Sequence, residues 1–543
     1  MGPPDGAATS PAVRWRKIGV ALLDEWEEGM PGSLLLGIDI GTYSAKGVLC
    51  TPAGEVLAEA VVEHTMSIPR PGWAEQDADG VWWGGFVALC RQLLSGRYSG
   101  ADVGAVGVSA IGPCMLPVDD RGRPLRPGVL YGVDTRATAQ IDALNREIGA
   151  DAIYALSGQA LTTQAVGPKT RWLRDEEPEI FRRTHKILTA SSYLVHRLTG
   201  EFVVNRHEGT YHLPLVDLRR QEYDGRWADH VCPLEMLPRL VWSTEIVGTV
   251  TAAAAAETGL AVGTPVAGGA VDAAAEAVSV GVTRPGDVMV MYGTTMFFIL
   301  VTAQPTPDPR FWATGYLFPD SFDVAFGMAT TGALTRWFRD ELGAAEVAAE
   351  AAGGPNAYAA LADLAAAVPA GAEGLVCLPY FSGERTPLND PRARGMYAGL
   401  SLAHTRGHLY RATLEGTAFG VRHNLDTVAE LGAPAERVVA VGGGVKNPLW
   451  LQIVSDATRR AQIVPERTIG ASYGDAFLAG LAAGLVPDVD ALHRDWVRVA
   501  RVVEPDAATT AIYDEVYPIY RSLYDHAKPD LHALADLADR RRG

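Results

Sequence analysis

The run from Leu34 to Cys50 opens as a short apolar stretch, the mark of a buried strand, and one carboxylate, Asp39, interrupts it. Gly41-Thr42 then makes a small turn, and a second apolar run leads to Cys50. A charge inside a buried strand is costly unless a metal, a partner group or a reaction uses it. A glycine beside hydroxyls at a strand-to-strand turn lets backbone N–H groups approach an anion closely. Together these features suggest a phosphate-holding hairpin with a metal-facing aspartate. The alternative is an ordinary hairpin whose Asp39 caps a turn. Asp272 is the second candidate. It follows a strand and two glycines and precedes Ala273-Ala274-Ala275, a helix start. A carboxylate there can accept a proton from a substrate hydroxyl, or it can simply cap the helix. Gly442-Gly443-Gly444, after a strand, lets the backbone lie flat against a ring or a phosphate.

Other chemistries lack their residues. The chain contains neither a G-x-x-x-x-G-K-[ST] phosphate loop nor a G-x-G-x-x-G dinucleotide fingerprint. One G-x-S-x-G string occurs at Gly470 to Gly474, but Pro465-Glu466-Arg467-Thr468 makes a poor strand before it. Ser472 therefore reads as a helix cap. His404 and His408 lack the intervening glutamate of a zinc protease and read as a surface pair at a helix start.

The elements that must position these groups come from a chain of 543 residues, too long for one core. It is 48% hydrophobic and 20% charged, a globular composition, with net charge −17 and no basic block. That argues against a nucleic-acid partner. No apolar stretch is long enough to span a bilayer, which gives no membrane partner. The five cysteines are scattered without metal-ligand spacing, as reduced thiols of a cytoplasmic protein would be. Residues 1–33 read as an N-terminal extension. From Leu34 strands alternate with helices, which says α/β. Pro168 to Arg174 reads as a loop entering a helix. After a junction near Thr283-Arg284-Pro285-Gly286, the opening theme returns: strand, Gly293-Thr294-Thr295, strand. Repetition of this sort suggests two related lobes with a cleft between them. The second half continues with a helix from Gly332 to Leu342, an alanine-rich stretch over 344–367 that reads as packed helix without function, and terminal helices after about residue 500.

The ordered set Gly37-Ile38-Asp39-Ile40-Gly41-Thr42, Pro71-Gly72-Trp73-Ala74-Glu75-Gln76, Gly268-Gly269-Ala270-Val271-Asp272, Tyr292-Gly293-Thr294-Thr295 and Gly442-Gly443-Gly444 resembles the FGGY carbohydrate kinases. Gly383 to Gly395 resembles the xylulokinase branch. The resemblance implies an α/β fold of two RNase H-like domains, of the actin/sugar kinase/Hsp70 type, with an interdomain cleft. It divides the chain into the extension 1–33, a sugar-binding domain 34–283, a nucleotide-binding domain 284–500 and a helical tail 501–543. It implies transfer of phosphate from ATP, with Mg²⁺, to the primary hydroxyl of a small sugar, a ketopentose such as xylulose, with Asp272 as general base. Asp39 would position Mg²⁺. Thr42, Ser44, Lys46 and Thr294 would surround the phosphates, and Gly332, Gly443, Gly444 and Asn447 would hold the adenosine. On the sugar side, Ile111, Gly112 and Gln164 join Asp272.

The departures from the family pattern lie on that sugar side. Ser109-Ala110-Ile111-Gly112-Pro113 stands where xylulokinases carry Met-His-Gly, and Gly132-Val133-Asp134-Thr135-Arg136 has lost the tryptophan of W-x-D-x-R. A polyol kinase or another ketose kinase is therefore the alternative. A nucleotide-binding sensor without turnover is the alternative of another class. The partner is a small-molecule sugar or polyol, with a homodimer as the assembly to look for.

Overall fold

Two seven-stranded sheets of matching topology carry the molecule. The structure, a computed structural model, describes residues 32–542. The extension expected over 1–33 therefore lies, but for its last two residues, outside the described residues. The first sheet comprises β1 (Leu34–Ile40), β2 (Ser44–Cys50), β3 (Val56–Glu63), β4 (Val103–Ala110), β5 (Ile246–Thr249), β6 (Pro265–Ala267) and β7 (Ala270–Val271). Its order is β5-β6-β4-β1-β2-β3, with β7 also on β4. The second comprises β8 (Asp287–Tyr292), β9 (Met296–Thr302), β10 (Trp312–Gly315), β11 (Phe322–Met328), β12 (Arg437–Val441), β13 (Gln462–Pro465) and β14 (Val499–Val503), in the order β10-β11-β9-β8-β12-β13-β14.

In each sheet three strands form an antiparallel meander, and two more run parallel to the first strand on its other side. The repeated strand–Gly-Thr–strand theme of the sequence is thus a repeat of pairing order. β1 is buried along its whole length, as a strand covered on both faces must be. The parallel strands end side by side: Asp39 pairs with Ser109, and Ala270 with Ser109. Ligand crevices form beyond such carboxyl ends.

Between the sheets lie two helices, α1 (Asp272–Ser279) and α5 (Ala471–Ala482). Their alanines share a core with Leu35 and Ala105 of one sheet and with Met289, Ile299 and Val441 of the other. Four further helices matter here: α2 (Gly332–Leu342), α3 (Ala357–Ala366), α4 (Pro448–Thr458) and α6 (Ala507–Arg542). Helix α5 approaches β1 and β4 at backbone distance. A Cβ on Gly37 would lie 1.8 Å from the Ser472 carbonyl oxygen, and one on Gly107 would lie 2.0 Å from that of Asp475. Gly474 faces α1 in the same way, 2.0 Å from the Ala275 oxygen.

Several expectations need correction. The alanine-rich stretch is two helices, Ala344–Ala351 and α3, broken where Gly353, Gly354 and Pro355 cannot propagate a helix. The chain beyond residue 500 does not begin with helix: β14 extends the second sheet antiparallel to β13, and one helix, α6, follows. That helix buries Tyr513, Tyr517, Tyr520 and Tyr524 in the second core. Residues 168–174 belong to a helix, Val166–Glu176, rather than a loop. Gly470, not Ser472, occupies the cap position of α5, and Ser472 is buried within the helix. His408 does sit at a helix start, closing a capping box with Thr405. All five cysteines are free and buried, and no helix among the described residues is long and apolar enough to cross a membrane.

Gly107→Ala should destabilise the fold by about 1–3 kcal/mol, because a methyl group has no room against helix backbone. An earlier unfolding transition in urea would register this, and an unchanged transition would show that α5 can move aside.

Candidate active site

The β1–β2 hairpin is braced from behind. The Gly41 N–H donates to the Ser44 carbonyl at 2.9 Å and closes the turn. Gln76 donates from Nε2 to the Thr42 carbonyl at 2.9 Å, and its Oε1 accepts from the Trp82 indole at 2.7 Å. The rest of the Pro71 to Gln76 loop is held by the buried pair Asp134–Arg136. Asp134 accepts from the Ala74 N–H at 2.7 Å. The Arg136 guanidinium bonds to Glu75 and lies 3.9 Å over the Trp73 ring. These conspicuous motif residues therefore position the turn.

Asp39 does not cap that turn. Its Oδ1 lies 3.1 Å from the Ser109 hydroxyl, which lies 2.7 Å from Asp475 Oδ2. One hydroxyl proton cannot serve both carboxylates, and Asp475 Oδ1 has no hydrogen-bond partner at all. Asp272 is the first residue of α1, not its cap, which is Val271. Its Oδ1 accepts only the adjacent Ala273 N–H, at 2.8 Å. Glu276, one turn further on, adds a fourth carboxylate.

Burial pushes Asp39 up to about 7, with Glu276 adding to the rise and Ser109 and Lys46 opposing it. Burial, then the charge of Asp39, drives Asp272 well above the ordinary carboxylate range. Asp475 is raised in the same way by burial and by Asp39, and Glu276 by burial against the pull of Lys46. Four crowded acidic groups and an orphaned carboxylate oxygen suit a hard divalent cation. Mg²⁺ is held through one or two carboxylates, waters and phosphates. Among the described residues no three metal-ligating side chains are arranged to hold a metal ion by themselves, so a cation here would need oxygens from water or phosphate as well.

Two cavities flank the second hairpin. One, of about 600 Å³, is lined by Asp272, Ile111, Gly112, Gln164 and Thr295. The sequence-predicted sugar-side residues thus come together. Gly112 is needed for room: a Cβ there would lie 2.8 Å from Val271 Cγ2 and 3.0 Å from Glu208 Oε1. The lost tryptophan has a structural counterpart. Gly132 donates its N–H to Gln164 Oε1 at 3.1 Å, and a Cβ on Gly132 would lie 2.9 Å from that amide. The other cavity, of about 760 Å³, is lined by Thr294, Gly332, Gly443, Gly444 and Asn447, which brings those five together as well. Asn447 caps α4 by accepting the Trp450 N–H at 3.1 Å. Gly444 is wedged where a Cβ would meet Tyr292 at 2.8 Å and Trp450 at 2.9 Å. Adjacent residues Thr294 and Thr295 line different cavities, so the turn lies between them. Thr42, Ser44 and Lys46 line neither; they stand on the first hairpin, where Thr42 Oγ1 lies 3.5 Å from the hydroxyl of Tyr131, a residue of the smaller cavity.

Sequence reasoning missed several lining residues. Helix α3 presents Tyr358, Ala359, Ala362, Asp363 and Ala366 to the larger cavity. Their helical spacing is a legible signal, but alanine announces no chemistry. Lys169 is fully buried and donates to the Thr163 and Tyr131 carbonyls at 2.7 and 3.1 Å, shaping the wall of the smaller cavity.

Twin lobes of this pairing order thus carry an acidic centre at the strand ends and a cavity on either side of a Gly-Thr turn. The sequence matches the FGGY family of carbohydrate kinases, N-terminal domain, over residues 34–279 and the C-terminal domain of the same family over residues 288–483. The chain belongs to the FGGY family of carbohydrate kinases. The crystal structure of xylulose kinase from Rhodospirillum rubrum superposes with a TM-score of 0.85 at 35% identity, covering 92% of this chain and 100% of that one. The xylulose kinase of Escherichia coli (strain K12) is 29% identical over 506 residues, 91% of this chain and 99% of its own. The glycerol kinase of Nocardia farcinica is 30% identical over 484 residues, 84% and 92% of the two chains. The protein is a carbohydrate kinase that phosphorylates a small sugar or polyol.

Asp39 binds more protons in the folded state than when unfolded, so its contribution favours folding at low pH and is lost as pH rises from 3.8 toward about 7. Asp39→Asn should therefore melt progressively higher than the ligand-free wild type across that window, with the gap level above it. A gap that ignores pH would remove Asp39 from the strained set.

Proposed function

We propose that the protein transfers the terminal phosphoryl group of ATP to the primary hydroxyl of a ketopentose of the xylulose type. The observation that carries this reading is the position of Asp272: at the head of α1, on the smaller cavity, across the Gly293-Thr294-Thr295 turn from the larger one. The smaller cavity takes the acceptor. The larger, lined by Gly332, Gly443 and Gly444 and by the aromatic rings of Tyr292 and Trp450, takes the nucleoside.

Asp272 accepts the proton of the acceptor hydroxyl as its oxygen bonds to the γ-phosphorus, and ADP departs with the electron pair of the broken P–O bond. Burial and neighbouring charge make this carboxylate more basic, which suits proton acceptance near neutrality. Phosphoryl transfer asks mainly for in-line positioning and charge neutralisation. Asp39 would hold Mg²⁺, with waters completing the shell. Such an ion neutralises charge on the phosphates. Thr294, Thr42, Ser44 and Lys46 bind the phosphates from the two hairpins. Gly332, Gly443, Gly444 and Asn447 hold the adenosine part. Residues 34–283 form the sugar-side domain and 284–500 the nucleotide-side domain.

The relatives named xylulose kinase support the ketopentose. A polyol or another ketose remains the second reading, favoured by the Gly132–Gln164 arrangement in place of a tryptophan. A sensor without turnover would have no use for a basic carboxylate on the acceptor cavity.

Asp272→Asn should abolish sugar-dependent ADP release while nucleotide binding persists; near-normal turnover would rule out Asp272 as the base. Ala362→Phe, which fills the larger cavity from α3, should weaken binding of a fluorescent ATP analogue by about tenfold or more, equivalent to about 1.4 kcal/mol. Unchanged affinity would put the nucleoside elsewhere.

A further inference from the structure

Two polar side chains on the smaller cavity have no role in the reading above. His207 stands on the short helix Arg206–Gly209 of the first lobe, and Asp323 on β11 of the second. Both line the cavity that Asp272 lines. Both are more than nine-tenths buried, at 4% and 1% exposure. Each has an atom without a hydrogen-bond partner, His207 Nδ1 and Asp323 Oδ2. Nδ1 lies 3.5 Å from Asp323 Oδ1, too far for a good hydrogen bond.

The other oxygen of the Asp323 carboxylate is fixed. The Thr314 hydroxyl, on β10, donates to Asp323 Oδ1, across the strand pair in which these two residues face each other. Burial lowers His207 to about 4 and raises Asp323 to about 7, so the imidazole is neutral at pH 7. Buried polar atoms left unpaired are costly. A substrate hydroxyl satisfies this pair by donating to Asp323 Oδ2 and accepting from His207 Nδ1, with the neutral ring's proton on that nitrogen.

Resting on the kinase reading, we propose that His207 and Asp323 together bind the acceptor's hydroxyl at the end opposite the one phosphorylated. The acceptor is then a polyhydroxylated chain gripped at both ends, by Asp272 at its reacting end and by one residue from each lobe at the other. A site built to hydrogen-bond a hydroxyl rejects the analogue that lacks it, because its own groups are then left unpaired.

The test compares D-xylulose with 1-deoxy-D-xylulose, which lacks that distal hydroxyl, by calorimetric titration and by ADP release with full-length protein. Wild type should prefer D-xylulose by about tenfold or more. His207→Ala should abolish the preference. Asp323→Asn, which keeps an acceptor for Thr314, should shrink it, raising KM more than it lowers kcat. Asp323→Asn is the deciding variant should the other fail to fold. Equal affinity for the two sugars in wild type, no binding of either, or an unchanged preference in Asp323→Asn would each overturn the proposal. Discrimination without ADP release would spare the pair and sink the kinase reading. ADP release without discrimination would do the reverse.

Discussion

Close contact between backbone and backbone sets the geometry of the centre. Gly37, Gly107 and Gly474 carry no side chain where α5 meets β1, β4 and α1. With any larger residue there, the helix would stand off by the width of a methyl group. Because it does not, Asp475 comes within hydrogen-bond distance of Ser109, and Ser109 within reach of Asp39. Packing of this density tolerates little displacement, so the acidic centre inherits the rigidity of the helix–sheet contact.

That rigidity has an electrostatic cost. Asp39, Asp272, Glu276 and Asp475 are raised chiefly by burial and then, for three of them, by neighbouring acids; for Glu276 the other named influence is the opposing pull of Lys46. A ligand-free protein holds these groups together at the expense of stability, and functional sites are where such strain is retained. On the proposed reading, the same arrangement lets an acidic chain receive a polyanionic nucleotide: neutralisation would be local, by a cation, backbone N–H groups and a few side chains, and would need no basic surface.

The sequence made the frame of this site readable. Asp39 stood out as a charge in an apolar run, and the Gly-Thr turns recurred at corresponding places in two halves. The start of α2 was marked at Gly332. Asp272 was visible as a carboxylate at a strand-to-helix junction, though only coordinates separate the first helical residue from a cap. What escaped notice did so for physical reasons. The wall formed by Ala359, Ala362 and Ala366 works through being small, and smallness leaves no chemical mark. His207 and Asp323 meet only because β10 and β11 pair and the lobes abut, a contact between residues 116 positions apart that no local spacing encodes. Asp475 lay beside a string inspected for another chemistry, and its partner Ser109 is brought to it by tertiary packing alone. The strand at Val499–Val503 is largely exposed, so it lacks the buried alternation that marks other strands.

Helix α5 covers the first sheet yet is encoded some two hundred residues after that sheet's last strand. At a ribosomal speed of about 5–20 residues per second, the inner face of β1 and β4 waits on the order of 10–40 s for its lid to be synthesised. Until then the emerging first half is a sheet whose inner apolar face lacks this helix. A cut at the midpoint of the gene would separate that sheet from the helix that covers it.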